Sequence, residues 1–218
     1  MFSLTLLALT GCGTTAYTYS GYWTADHFPL GGERAWQYQN EGEDFLMRVE
    51  NISSESIDGD TVVTLNYTNE TSNTLMYSIK WSADKGSAVQ IHGYYLAEAA
   101  TDDGGEDTGM GTDAVVGDWV SFSPPIKLTE RQGSPGDVVE STDDGVNYVS
   151  TFDAYESCPN LWTQDWECMK MIIESDESSP APFVGTWHWA TEYGTSLFQP
   201  AGAEFPWRLT SYDWVPAD

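Results

Sequence analysis

No segment of this chain sustains the 3.6-residue apolar period of an amphipathic helix. Its apolar residues come instead in short β-branched and aromatic runs punctuated by turn signals. Residues 44–52, Thr61–Tyr67, Thr74–Trp81 and Ala88–Leu96 follow one another as strands, with Asp58-Gly59 as a hairpin turn and the polar stretches Thr68–Asn73 and Asp84–Gly86 as connections. The pattern resumes with Ala114–Phe122, Val146–Tyr155, Met169–Ile173, Gly185–Trp189, Glu192–Phe198 and Phe205–Trp214. Ser123-Pro124-Pro125 is expected to interrupt a strand and leave Ile126–Arg131 as a short edge piece, and Asp137–Glu140 lies between two turns. Only Tyr95–Ala100 is friendly to a helix. The fold expected is all-β: an antiparallel up-and-down meander of about ten strands. That is more than a flat sheet holds comfortably, so a single strongly curved sheet is expected, a half-barrel or open barrel, with a β-sandwich as the alternative.

The two ends of this β region carry matching aromatics. Phe28 and Leu30 flank a proline that keeps the backbone extended, Gly31-Gly32 turns the chain, and Trp36-Gln37-Tyr38 places two aromatics on one strand face. Trp187 and Trp189 are likewise two apart, near the far end. The four residues Trp36, Tyr38, Trp187 and Trp189 are therefore read as one cluster joining the first and last strands, either core or the lining of a binding groove. Ten tryptophans and twelve tyrosines suffice for a core, and also for a groove holding an acyl chain, a glycan or a peptide.

The charge narrows the partners. With 34 acidic residues against 8 basic ones, the formal net charge is −26. Nucleic acids and anionic lipid surfaces both need a basic footprint, so the charge argues against both as partners. Five carboxylates fall in the Gly-rich loop 101–113: Asp102, Asp103, Glu106, Asp107 and Asp113. They are weak Ca²⁺ candidates, because the spacing is not that of an EF-hand; a solvated acidic loop is the plainer reading, and no cofactor is expected.

Nor does the chain display a catalytic signature. His27, His92 and His188 are isolated in sequence, and no Gly-x-Ser-x-Gly elbow, phosphate loop or His-x-x-x-His pair occurs. His188 lies between Trp187 and Trp189, so in a strand it points away from both, towards a polar face. Carboxylate pairs at glycosidase spacing arise by chance among so many acids, and a non-enzyme is expected. Cys158 and Cys168 form an even pair around a loop-like stretch and are read as a disulfide, against the alternatives of free thiols or a metal site. The latter lacks nearby histidine.

At the N-terminus, Phe2–Leu9 is too short to span a bilayer and fits the apolar region of a signal peptide. Leu9-Thr10-Gly11-Cys12 resembles the lipobox of bacterial lipoproteins, in which the cysteine is acylated and becomes the first mature residue. No Lys or Arg precedes the run, a departure from the lipoprotein pattern that a truncated or misassigned start would explain. The resemblance implies a signal peptide over 1–11, a tether over 12–25 and one β domain over 26–218. Gly13 after Cys12 implies, by resemblance to Gram-negative sorting, the outer membrane or cell surface. Phe28-Pro29-Leu30-Gly31 followed by Trp36-Gln37-Tyr38, together with Tyr193–Leu197 and Leu209–Tyr212, resembles a group of poorly characterised lipoproteins common in myxobacteria. That likeness implies a curved half-barrel similar to periplasmic lipoprotein carriers, and brings no catalytic residues. Membrane attachment through the lipid, and protein partners at the cell surface, are the partners it implies.

Overall fold

Left-handed turn residues cut the chain into strands. Asp58 and Gly59 (φ 52° and 94°) and Asp144 and Gly145 (45° and 85°) form turns in which both residues take positive φ. Such pairs match the twist of the strands they join. The computed structural model describes residues 27–28, 30, 33–84, 86–97, 117–159, 167–191 and 193–215. Among these are twelve strands and no α-helix: β1 (Glu33–Asn40), β2 (Leu46–Ile57), β3 (Asp60–Asn69), β4 (Thr74–Ser82), β5 (Gln90–Leu96), β6 (Trp119–Lys127), β7 (Val138–Asp143), β8 (Val146–Ser157), β9 (Glu167–Ser175), β10 (Gly185–Ala190), β11 (Gly194–Pro200) and β12 (Trp207–Val215).

All twelve belong to one antiparallel sheet in the order β6-β5-β4-β3-β2-β1-β12-β11-β10-β9-β8-β7. Every neighbour is a sequence neighbour except β1 and β12, which pair from Glu33 opposite Val215 to Asn40 opposite Trp207. The first and last strands thus close the meander on itself, and the open edges fall mid-chain, at β6 and β7. Those edges are stitched by side chains. The Ser141 hydroxyl accepts from the Lys127 amide at 3.0 Å, and Asp143 Oδ1 accepts from the Ser123 amide at 3.5 Å. Pro124 and Pro125 have no N–H to give a neighbouring strand, which accounts for an edge at this place. The result is a nearly closed barrel.

Two local expectations shift. The diproline does not end its strand, although it breaks the ladder: β6 runs through Pro124 and Pro125 to Lys127, but its pairing with β5 skips from Ser121 to Ile126, and an edge strand tolerates the missing donors. The strand expected over 44–52 is longer at its end: Ser53–Ile57 extends β2 along β3 to the Asp58-Gly59 turn itself.

The barrel is filled. Trp81 on β4 and Trp187 on β10 lie on opposite sides of the strand order, yet their ring centroids are 5.6 Å apart. The walls therefore meet across a flattened interior. Short connections plug the ends instead of helices. Phe28 inserts between Trp81 and Trp189, at 4.6 and 5.1 Å. Fully buried Phe183, in the β9–β10 connection, packs on Tyr94, Phe122 and Tyr148 near the opposite strand ends.

Candidate functional site

Inward and outward positions alternate along each strand, so the sheet has two candidate surfaces, its interior and its outer face. The four aromatics singled out above are all interior: Trp36, Tyr38, Trp187 and Trp189 are no more than 5% exposed. Trp36 Nε1 donates to the Tyr193 carbonyl at 2.7 Å, the Tyr38 hydroxyl to the Thr195 carbonyl at 2.9 Å and Trp187 Nε1 to the Phe183 carbonyl at 2.9 Å. These bonds tie β1 across the interior to the β10–β11 turn and to β11, and β10 to the β9–β10 connection. The Trp189 indole N–H is buried without an acceptor. Burial pushes the Tyr38 hydroxyl well above its ordinary range, and the neighbouring Tyr67 adds to the shift.

Trp36, Tyr38 and Trp187 share the lining of an interior cavity with Phe28, Leu30 and Met47; its volume is about 20 Å³. That is room for about one water molecule, far below the several hundred Å³ typical of small-molecule sites. A cavity of this size does not hold an acyl chain.

The outer face carries two histidine pairs. Ser82 Oγ and His92 Nε2 are 2.9 Å apart on adjacent strands β4 and β5. Burial lowers the His92 pKa, with Asp60 the strongest charge opposing the shift. The trio has the residue types of an acyl-transfer triad without its geometry. Ser82 is 2% exposed, closed to a substrate carbonyl, and among the described residues no carboxylate hydrogen-bonds the histidine to orient it.

His188 points away from Trp187 and Trp189, as the alternation requires, and its Nε2 reaches over β9 to Glu156 Oε1 at 2.6 Å. A carboxylate only accepts, so Nε2 carries the proton and Nδ1 is bare. Nδ1 is buried with no partner. Protonating it would create an orphan donor, and burial holds the His188 pKa below its ordinary value despite Glu156. Beside it, Lys170 pairs with Asp153 at 2.7 Å, and that bond raises the lysine pKa.

On the same face Cys158 and Cys168 form a disulfide, S–S 2.16 Å and Cα–Cα 4.9 Å. Cys168 lies opposite Glu156 on β8 and opposite Ala190 on β10. Its Sγ is 3.1 Å from Ser196 Oγ, which in turn donates to the His188 carbonyl. Among the described residues no three His, Cys, Asp or Glu side chains converge to hold a metal ion. Cys12 and the Ca²⁺ candidates Asp102, Asp103, Glu106, Asp107 and Asp113 lie outside the described residues.

Sequence reasoning had no hold on the Ser82–His92 and His188–Glu156 pairs, since each joins strands whose register only the sheet sets. It also missed Phe183 as a plug, although a lone Phe directly after the acidic, Ser/Pro-rich stretch 175–182 was a signal. Comparison with known proteins found no matching family model, no similar curated protein and no similar solved structure.

Proposed function

We propose that this chain is a cell-envelope lipoprotein, anchored through an acylated Cys12, whose β domain is a rigid, non-catalytic structural or assembly module. The observation that carries this reading is the filled interior. Trp81 meets Trp187 and Trp189 across the barrel, Phe28 is wedged among them, and the cavity that Phe28 and Trp187 border with Trp36 and Tyr38 measures about 20 Å³. A carrier of acyl chains needs a dry hollow, and here the aromatics occupy it themselves. The disulfide supports an oxidising compartment, where such bonds persist. The acidic surface suits a domain held in solution by charge.

The test is fractionation and intact mass in a Gram-negative host. The wild-type chain is expected in the membrane fraction, cleaved before Cys12 and carrying several acyl chains, since one alone anchors only marginally. Cys12→Ser is expected to stay uncleaved or leave the membrane. Unchanged processing and attachment of that variant would overturn the anchor, and a stoichiometric apolar ligand in native mass spectra would overturn the non-carrier reading.

A further inference from the structure

Trp119 breaks the rule that the other described tryptophan side chains obey. Trp36, Trp81, Trp187, Trp189 and Trp207 are at most 6% exposed, whereas Trp119 is 42% exposed. It lies on the outer face of β6, directly opposite Tyr95 on β5, with ring centroids 5.9 Å apart and planes tilted by 40°. Lys80 Nζ sits 4.8 Å from the Trp119 ring centre and 2.7 Å from Glu55 Oε1. The indole is thus steadied by a cation that is itself paired, and leaves a large aromatic surface in water.

Further along the same strands, the outer face opens into a cleft of about 670 Å³ lined by residues including Asp60, Gln90, Lys127, Glu130, Arg131 and Gln132. Between the aromatic pair and the cleft lies Gly93, paired with Lys80 on one side and Ser121 on the other. A Cβ there would come within 2.3 Å of the Val120 carbonyl oxygen. Gly93 therefore keeps β5 and β6 in close approach and adds no side chain of its own; between the two ends β5 carries the buried His92, and β6 carries Ser121 and the bulged Ser123 and Pro124. From Gln90 to Tyr95 the strip is roughly 15 Å long at strand rise, allowing for the bulge.

We propose that this strip, from Tyr95 and Trp119 to the cleft at Gln90 and Lys127, binds a neutral oligosaccharide. A pyranose ring has an apolar C–H face that stacks on an aromatic ring and a rim of hydroxyls that both donate and accept. The strip supplies the matching chemistry: the exposed Trp119 ring beside the half-buried Tyr95 ring at one end, then amides, cations and carboxylates that serve as donors and acceptors. Its charges balance, with Lys80, Lys127 and Arg131 set against Glu55, Asp60 and Glu130. A polyanion would meet repulsion from a chain of net charge −26. A lipid chain would find no dry wall. Strip and anchor are independent: a protein that fails to acylate Cys12 would still bind sugar, and an anchored one would lose sugar binding through a substitution in the strip.

The experiment is calorimetric titration of the purified full chain with neutral tetrasaccharides of β-1,4-linked glucose, of β-1,4-linked N-acetylglucosamine and of α-1,4-linked glucose, with thermal melts of each variant. At least one sugar is expected to bind. Trp119→Ala should weaken it about tenfold, the scale of one aromatic contact, with the melting temperature unchanged. Trp119→Phe should restore most of the affinity, and Lys127→Ala should weaken it independently. The proposal is overturned if none of the three binds at millimolar concentration, if binding ignores both Trp119→Ala and Lys127→Ala, or if a basic peptide binds the strip and the sugars do not. A Trp119→Ala chain that fails to fold would place the indole in the core and equally overturn the proposal.

Discussion

The indole of Trp81 on β4 meets that of Trp187 on β10 edge-on, with centroids 5.6 Å apart and planes at 78°. Edge-to-face contact suits the ring quadrupole. Here it also joins walls that an open barrel would hold apart, so the interior of this twelve-stranded sheet is a packed core.

Stability should therefore depend on the plug. Phe28→Ala and Trp189→Ala are each expected to cost about 3–5 kcal/mol, the usual penalty for truncating a buried aromatic, because both sides of Phe28 lose a neighbour. Denaturant melts check this. A loss below about 1 kcal/mol in both variants would mean that the interior is not packed as described.

The bond between Cys158 and Cys168 spans a sequence separation of 10. In the chain-entropy model, closing so short a ring contributes roughly 3 kcal/mol. Reduction should lower the melting temperature accordingly, and a non-reducing peptide map should recover the two cysteines in one linked fragment. Free alkylation of both thiols in unreduced, denatured protein would contradict the bridge.

Acid should act through His188. Its folded pKa lies below the unfolded value of 6.5 because burial disfavours the cation, with Glu156 and Asp153 pulling the other way and Lys170 reinforcing the shift. The unfolded chain thus binds the proton first. The stability held by neutral His188 is intact above pH 6.5 and is lost as the pH falls below it. His188→Gln, which can still donate to Glu156, should lose less stability than wild type between neutral pH and the unfolded carboxylate range. Parallel pH dependences in the two proteins would assign the acid sensitivity to other groups.

Local chemistry made much of this molecule readable from the chain alone. Turn pairs such as Asp58-Gly59, β-branched runs such as Thr61–Tyr67 and the two-residue spacing of Trp36 with Tyr38 each act within a few residues, and the all-β class follows from them. The facing of His188 was equally legible, because alternation is a property of a single strand. Three matters belonged to the tertiary structure. The diproline in β6 is harmless only because β6 is an edge, and edge status depends on β1 pairing with β12 far away in sequence. Whether Trp187 and Trp189 line a groove or fill a core depended on how nearly opposite walls approach, which Trp81 and Phe28 decide together. The contrast between buried Trp187 and exposed Trp119 lies in no local pattern: both are strand tryptophans, and only closure of the sheet assigns one to the inside and the other to water.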